Sequence, residues 1–144
     1  MKCAFCESKD IQSRVIVRNE LAFAFPTNIP ITPGHVLVCP KRCVATFDEL
    51  TNEEIISIMN LRKQLRESLK KVFGAKGFNY AWNEGGVAGQ AVRHIHLHIV
   101  PRKEGDSGIT DYEPRKFLYR PGSRETSPDT ELNQVVALIM AGLK

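Results

Sequence analysis

The sequence has no long apolar run. No stretch approaches the roughly 18 consecutive apolar residues that a membrane-spanning helix needs. A signal peptide is also missing, because Met1, Lys2 and Cys3 lead directly into polar residues rather than into an apolar segment of signal length. We therefore expect no membrane partner and a cytoplasmic location.

Strong net charge, internal repeats and a domain boundary are absent as well. The formal net charge is only +4. The basic residues concentrate after the histidine-rich stretch, which suits an anionic substrate: Arg102, Lys103, Arg115, Lys116, Arg120 and Arg124. Aromatic residues among them are limited to Phe117 and Tyr119, so the sequence gives little support for a nucleic-acid partner. A length of 144 residues with 42% hydrophobic content predicts one globular domain, residues 1–144.

Histidine is scarce but unevenly distributed. The chain has four histidines, and three of them occupy alternate positions, His94, His96 and His98. Apolar residues stand between them, so the pattern predicts a strand with an imidazole face and an apolar face, ended by Pro101. Such a face either binds a metal through a His-x-His pair or divides nucleophilic, orienting and proton-transfer roles among the three rings.

The four cysteines favour free thiols or a metal site over disulfides, since no export signal is present. Cys3 and Cys6 form a Cys-x2-Cys pair, which is half of a zinc site, a redox pair or a coincidence. A redox pair usually follows a strand, and nothing strand-like precedes Cys3. Zinc is therefore favoured if two more ligands exist.

The remaining patterns predict an α+β fold with an antiparallel sheet of about five strands, one long helix and a C-terminal helix. The expected strands are residues 14–17, 21–25, 35–39, 77–82 and the triad strand, and the long helix covers about 52–73. Thr51 and Glu54 form a capping box, and Gly74 is a C-terminal cap. Ser127 is expected to cap the last helix.

Two loops carry open questions. The glycine-rich segment 83–90 is either an ordinary hairpin loop or a phosphate cradle, in which Gly85, Gly86 and Gly89 let backbone N–H groups approach phosphate oxygens. Residues 109–124 are long for a structureless loop, and we expect either a cover over the active site or a dimer arm.

At this point two segments carry a family resemblance. Residues 89–100, Gly-Gln-Ala-Val-Arg-His-Ile-His-Leu-His-Ile-Val, resemble the signature of the histidine triad (HIT) family. Residues 31–41, Ile-Thr-Pro-Gly-His-Val-Leu-Val-Cys-Pro-Lys, resemble its other recurring segment, and Asn83 precedes Gly89 as in many members. The resemblance runs from about residue 3 to residue 102 and leaves 103–144 as a C-terminal extension.

The resemblance implies an α+β HIT domain that catalyses nucleotidyl transfer through a covalent intermediate on His96. It implies that His98 and His35 orient the phosphate or the attacking imidazole, and that Gln90 contacts the bridging oxygen. Asn83, Gly89 and the backbone amides of Ala91 and Val92 would surround the phosphates. Related hydrolases carry Asn or Asp for the ribose hydroxyls eight residues before the His35 position. Here Thr27 stands there, with Asn28 beside it.

The resemblance also implies a structural zinc ion and a homodimer. The ligands would be Cys3, Cys6, Cys43 and His94, with Cys43 standing where zinc-bearing members commonly have histidine. Cys39 is expected in the core. Family members are usually homodimers whose sheets join into one of ten strands.

Residues 23–41 look most like the diadenosine polyphosphate hydrolase branch, so a dinucleoside polyphosphate is the expected substrate. One alternative is a dinucleoside polyphosphate phosphorylase or nucleotidyl transferase. Others are a nucleotide-binding signalling protein with little turnover, and a metal-dependent hydrolase that uses His94 and His96 as ligands.

Overall fold

An antiparallel five-stranded sheet lies at the centre of the protein, with strand order β1-β2-β3-β5-β4. The structure, a computed structural model, describes residues 3–108 and 126–144. The strands are β1 (Val17–Arg18), β2 (Ala22–Pro26), β3 (Val36–Pro40), β4 (Gly77–Trp82) and β5 (Leu97–Arg102). The helices in these ranges are α1 (Ala4–Glu7), α2 (Lys9–Ser13), α3 (Asn52–Phe73) and α4 (Asp129–Gly142). The predicted fold class is confirmed.

Helix α3 forms where the capping box and the apolar stripe predict it. The Thr51 hydroxyl accepts from Glu54 N at 3.1 Å, and the Glu54 carboxylate accepts from Thr51 N at 2.9 Å. Gly74 ends the helix in the left-handed region, at φ 66°. A buried stripe faces the sheet: Ile58, Leu61, Leu65 and Leu69. These signals are local in sequence, which explains why the bounds could be predicted.

The two faces of the sheet pack against different helices. The small and branched residues of β2 and β3, such as Ala24 and Val38, join the α3 stripe in one core cluster. The alternating residues, Phe23, Phe25 and Leu37, form a second cluster with Phe5 of α1. This cluster also contains Cys39, which is fully buried as predicted. His98 lies opposite Leu37 in the β3–β5 register, so it belongs to the α1 side of the sheet.

None of the described helices combines the length and the apolar character needed to cross a bilayer. The first predicted strand, residues 14–17, is largely wrong, because Arg14 is the C-cap of helix α2 and only Val17 of these residues lies in β1. Residues 9–13 form helix α2, for which Ser8 is the N-cap and accepts from Ile11 N at 3.2 Å. Only Val17–Arg18 remains as β1.

The prediction that all three triad histidines lie on one strand is also wrong. Strand β5 begins at Leu97, so His94 and His96 precede it and only His98 is in the sheet. Hydrogen bonds from the histidine side chains to backbone carbonyls replace the ladder there. The carbonyl of Pro40 accepts from the His94 side chain at 2.7 Å, and the carbonyl of His94 accepts from the His96 ring at 2.8 Å. Side-chain bonds of this kind compete with sheet pairing.

Proline does not end β5 as predicted, because the strand continues through Pro101 to Arg102. The Pro101 carbonyl accepts from the Thr32 hydroxyl at 2.9 Å, on the side away from β4. In a strand the N–H and C=O of one residue point the same way, so the missing N–H costs no bond to β4.

At the C-terminus, Ser127 is not the helix cap. Pro128 occupies that position and α4 begins at Asp129, while Ser127 N donates to the Asn28 carbonyl at 2.8 Å. The expected cover or dimer arm at 109–124 lies outside the described residues.

After β5 the chain is fastened back onto the sheet by Asp106. Its carboxylate accepts from the Arg102 guanidinium at 2.9 and 3.1 Å and from the amides of Lys103 and Gly108 at 3.0 and 2.9 Å. Arg102 also donates to Asn79 of β4 at 3.0 Å. The hydrogen bonds from Arg102 hold the pKa of Asp106 well below its ordinary value.

Asp106→Asn should lower the free energy of unfolding by about 1–2 kcal/mol at pH 7, since charge-assisted hydrogen bonds are lost. Because the folded pKa is depressed, this contribution is complete above the unfolded pKa of about 4 and is lost as the pH falls through the folded value. The difference in unfolding free energy between the variant and the wild type, measured with urea, should therefore be constant above about pH 5 and shrink as the pH falls below about 4. Glu104→Gln, an exposed neighbour, is the control. A pH-independent difference between Asp106→Asn and the wild type would contradict this role.

Candidate active site and metal centre

A cleft with a volume of about 270 Å³ lies on the α1 side of the sheet. Histidines, a glycine-rich loop, aromatic side chains and a buried arginine all contribute to its wall. The lining residues that matter below are Phe5, Asp10, Arg14, Phe25, Thr27, Asn28, Gly89, Ala91, Val92, His96 and His98.

The ring of His96 is held in one tautomer. Its Nδ1 lies 2.8 Å from the carbonyl of His94, which can only accept, so Nδ1 carries the proton and donates. Nε2 is left with the lone pair. Burial lowers the pKa of His96, although the hydrogen bond to His94 opposes the shift. The ring is therefore neutral at pH 7 and has one nucleophilic nitrogen.

The rings of His35 and His98 form a second fixed arrangement. Ile31 N donates to His35 Nδ1 at 3.0 Å, so the proton of neutral His35 is on Nε2. That Nε2 lies 3.0 Å from His98 Nδ1 and donates to it. The proton of neutral His98 is then on Nε2. The His96 and His98 rings are 4.9 Å apart, which gives a lone pair and an N–H donor side by side in the cleft.

His94 is turned away from the cleft. Its Nε2 donates to the Pro40 carbonyl at 2.7 Å, so Nδ1 has the lone pair. This Nδ1 lies 3.3 Å from Cys3 Sγ and 3.5 Å from Cys6 Sγ. Both nitrogens of His94 are thus engaged away from His96, and the two rings do not converge on one cation as the metal-dependent hydrolase alternative requires.

Cys3, Cys6, Cys43 and His94 come together in one cluster, with their ligand atoms all within 4.8 Å of one another. Tetrahedral zinc with bonds of about 2.3 Å to sulfur and about 2.0–2.1 Å to nitrogen needs sulfur–nitrogen separations of about 3.5 Å. The Cys3 and Cys6 distances to His94 match this value. The bond from His94 to Pro40 is the outer hydrogen bond that metal-binding histidines normally make. The donor set therefore fits zinc.

Phe5 connects this cluster to the cleft, because it stands between Cys3 and Cys6 in sequence. Its ring centroid lies 5.0 Å from the His96 ring and 5.1 Å from the Phe25 ring, both edge to face. The Cys-x2-Cys pair of the cluster and Phe5 of the aromatic wall consequently lie on the same helical turn, α1 with its N-cap. Sequence reasoning did not assign Phe5 to the site, although its place inside the Cys-x2-Cys pair is a usable signal.

The glycine-rich loop lies beside the histidines, and Gly85 and Gly89 adopt φ values of 83° and 97°, where L-residues are strained. The side chain of Gln90 accepts from Gly85 N and donates to the Ala45 carbonyl, both at 2.8 Å. It therefore closes the loop in this structure. Asn83 is buried, and its Nδ2 has no hydrogen-bond partner among residues 3–108 and 126–144.

Most of the predicted binding residues line the cleft: Thr27, Asn28, Gly89, Ala91 and Val92. His35 lies behind His98, while Asn83 and Gln90 lie in the adjoining loop. Arg14 is a cleft residue that the sequence analysis missed, since it was assigned to a strand. The Ser8 N-cap could have indicated the helix, but no sequence signal singles out Arg14.

The chain is similar to known proteins over most of its length. A bis(5'-adenosyl)-triphosphatase from Dictyostelium discoideum is 36% identical over 117 residues, which cover 81% of this chain and 75% of that protein. The crystal structure of a Zn-bound histidine triad family protein from Mycobacterium smegmatis superposes with a TM-score of 0.74 at 26% identity, covering 99% of this chain and 94% of that one.

A second solved structure is that of Plasmodium falciparum diadenosine triphosphate hydrolase in complex with cyclomarin A. It superposes with a TM-score of 0.72 at 25% identity and covers 93% of this chain and 76% of that one. The HIT domain family model matches residues 8–105, a range that contains both recurring segments and all four histidines. The chain therefore belongs to the HIT domain family.

Proposed function

We propose that the protein hydrolyses dinucleoside polyphosphates through a covalent nucleotidyl intermediate on His96. The hydrogen bond from His96 Nδ1 to the His94 carbonyl carries this proposal, because it leaves the Nε2 lone pair available for attack. The triphosphatase and diadenosine triphosphate hydrolase among the similar proteins support the choice of substrate.

In the first step, His96 Nε2 attacks the α-phosphorus and forms a nitrogen–phosphorus bond as the bond to the bridging oxygen breaks. The rest of the substrate leaves as a nucleotide. In the second step, water attacks the same phosphorus, the nitrogen–phosphorus bond breaks, and a nucleoside monophosphate is released with a proton. Two displacements replace one difficult hydrolysis. With phosphate in place of water the same chemistry would be a phosphorolysis.

The charge on the transferred phosphate requires donors that are already in place. We assign this role to His98, whose Nε2 carries a proton, and to the backbone amides of Ala91 and Val92 beside Gly89. Support for His98 comes from its hydrogen bond with His35. The His35 Nε2 lies 3.0 Å from the His98 Nδ1, and this bond fixes the orientation of the His98 ring. Gln90 would contact the bridging oxygen by exchanging one of its loop bonds, and Asn83 offers an Nδ2 donor.

The nucleoside would occupy the aromatic and apolar part of the cleft. Phe5 and Phe25 present an edge-to-face pair to a base, and aromatic faces bind planar rings favourably. Thr27 and Asn28, which follow β2, would lie beside the ribose. The cleft is thereby divided into a base end and a phosphate end.

We also propose a structural zinc ion bound by Cys3, Cys6, Cys43 and His94. The convergence of the four donors within 4.8 Å supports it, as do the sulfur–nitrogen distances of 3.3 and 3.5 Å and the Zn-bound Mycobacterium smegmatis protein. When bound, the ion would supply only cross-linking, since four protein ligands leave no open position. These residues would hold Phe5 against His96 and keep the His94 carbonyl in place.

The proposed assembly is a homodimer in the cytoplasm. Strand β4 is a six-residue edge of the sheet and is half-buried to exposed, with Tyr80 40% exposed. Long edge strands are usually paired or covered. Antiparallel pairing of β4 with its symmetry mate would join two five-stranded sheets.

His96→Asn should reduce hydrolysis of diadenosine triphosphate by about 10³-fold or more, because the nucleophile is removed. Nucleotide binding, measured by calorimetry, should remain. Rapid denaturation of the wild type at alkaline pH during turnover, where a nitrogen–phosphorus bond survives, should also yield a chain heavier by one adenylyl group, and that species should be missing in the variant. Near-wild-type turnover by His96→Asn would rule out the covalent mechanism.

Cys6→Ser should abolish zinc binding and lower the midpoint of thermal unfolding by about 5–10 °C, since a cross-link between distant segments is lost. Metal analysis of protein purified without chelator should give one zinc per wild-type chain. Cys39→Ala is the matched thiol control, because Cys39 is in the core outside the cluster, where burial raises its pKa well above that of an ordinary thiol. Its zinc content should be unchanged. A metal-free, fully active wild-type protein would refute the site.

Light scattering at micromolar concentration should report twice the chain mass of 16.2 kDa. Tyr80→Lys, which adds a charge at the middle of β4, should shift the protein towards the monomer, because like charges would meet across the paired edge. A wild-type protein that scatters as a monomer would disprove this assembly.

A further inference from the structure

Arg14 brings a buried positive charge to the cleft that the proposed mechanism does not use. It follows helix α2 as the C-cap residue and lines the same cleft as His96 and Thr27. Its side chain is only 9% exposed. A guanidinium removed from water to this extent needs compensating acceptors.

The protein supplies few of these acceptors. Arg14 Nη1 lies 3.5 Å from a carboxylate oxygen of Asp129, whose side chain is 81% exposed. A long ion pair with a solvated partner contributes little. The Nε atom is buried and has no hydrogen-bond partner within the described parts of the chain, residues 3–108 and 126–144. The group has five N–H donors, and the hydrogen bond that it makes to the described residues is the one from Nη1 to Asp129.

Contacts locate this guanidinium at one end of the cleft. Asp129 comes two residues after Ser127, and Ser127 N donates to the Asn28 carbonyl at 2.8 Å. Arg14 is therefore near the Thr27–Asn28 segment. The Thr27 hydroxyl accepts from Ile29 N at 3.2 Å and, like Asn28, provides no negative charge. Asp10 is the acidic side chain among the lining residues, and it is exposed.

A nucleotide bound as proposed would direct its ribose towards this end. The 5'-phosphate must lie at His96, and the base is expected against the Phe5–Phe25 pair, whose rings contact each other. The ribose stands between the phosphate and the base, so its 2' and 3' hydroxyls would face Thr27, Asn28 and Arg14. A guanidinium fork matches a phosphate with two parallel hydrogen bonds. In dinucleotide-binding folds, an arginine in place of an acidic residue likewise accommodates a phosphate on the ribose.

We propose that Arg14 binds a phosphate on the 2' or 3' hydroxyl of the ribose, which makes nucleotides with a phosphorylated ribose the preferred substrate class of this cleft. This inference rests on the proposed function, because that function places the 5'-phosphate at His96. The geometry supports it through one buried guanidinium nitrogen that has no partner among residues 3–108 and 126–144, in a cleft that is also lined by the uncharged Thr27 and Asn28.

The test compares the binding of four probes by calorimetry: adenosine 5'-monophosphate, adenosine 2',5'-bisphosphate, adenosine 3',5'-bisphosphate and adenosine 5'-diphosphate. The wild type should bind one of the two ribose-phosphorylated probes about tenfold or more tightly relative to the monophosphate, as expected for a charge-assisted bidentate contact. Arg14→Gln should bring this ratio close to one. Arg14→Lys, which keeps the charge without the fork, should leave an intermediate ratio.

Arg18→Gln is the matched control, because Arg18 is an exposed arginine on β1 outside the cleft. Its ratio should equal that of the wild type. Equal wild-type affinities for the mono- and bisphosphates would overturn the proposal, and so would a preference that survives in Arg14→Gln. An Arg14-dependent gain for the 5'-diphosphate alone would also overturn it, since Arg14 would then bind the phosphate chain.

Failure of the underlying function has a different signature. In that case the wild type would neither bind the monophosphate nor show His96-dependent cleavage of diadenosine triphosphate. If Arg14→Gln does not give a cooperative thermal transition, the wild-type ratios and Arg14→Lys still decide the question.

Discussion

The hydrogen bond between His96 Nδ1 and the carbonyl of His94 is the constraint on which the site depends. A neutral imidazole has one proton and two nitrogens, so its nucleophilic atom is defined only when another group occupies the protonated nitrogen. A backbone carbonyl does this without titrating and without side-chain motion. The same residue then bonds through its ring to Pro40, which holds the carbonyl itself in position. The chain thus fixes the reactive tautomer with main-chain atoms.

His94 consequently has two roles, one for its ring and one for its carbonyl, and the sequence alone does not distinguish them. Its ring contributes to the cysteine cluster, and its carbonyl fixes the tautomer of His96, the proposed nucleophile. Phe5 repeats this double use, since it belongs to the Cys-x2-Cys turn and packs on the His96 ring. Structural and reactive parts of the site are therefore adjacent, and displacement of one would alter the other.

The elements that sequence reasoning located correctly are those with local signals. Helix α3 has a capping box, a periodic stripe and Gly74, and β4 has bounding polar residues; both appear with the expected bounds. The cysteine cluster was located through the family resemblance. Errors arose where long-range contacts override local preference. Strand pairing is not formed at His94 and His96. The His94 ring donates to the Pro40 carbonyl instead, and the backbone N–H between the two histidines donates to the Val44 carbonyl. The triad motif indicates neither of these partners.

Arg14 illustrates the same limit within the site. Its role follows from burial and from the scarcity of partners, and both are properties of the packed chain. The local sequence, an arginine followed by valines and an isoleucine, predicts a strand over residues 14–17 and gives no role to Arg14. The structure instead turns residues 9–13 into a helix and places the side chain inside a cleft. The number of hydrogen-bond partners of a buried side chain can be read only from the tertiary structure, whereas periodicity can be read from the sequence.

The contact between Cys3 and His94 spans 91 residues of sequence. Closing so long a loop carries an entropy cost that is recovered only once the sheet and α3 have assembled, because they bring the two ends together. Residues 3–6 can therefore make their native contacts only after residue 94 has been synthesised. Phe5 completes the wall of the cleft only at that stage, so the binding surface is finished late in folding. A nascent chain that ends before β5 has no cleft, and catalytic competence is coupled in time to completion of the fold.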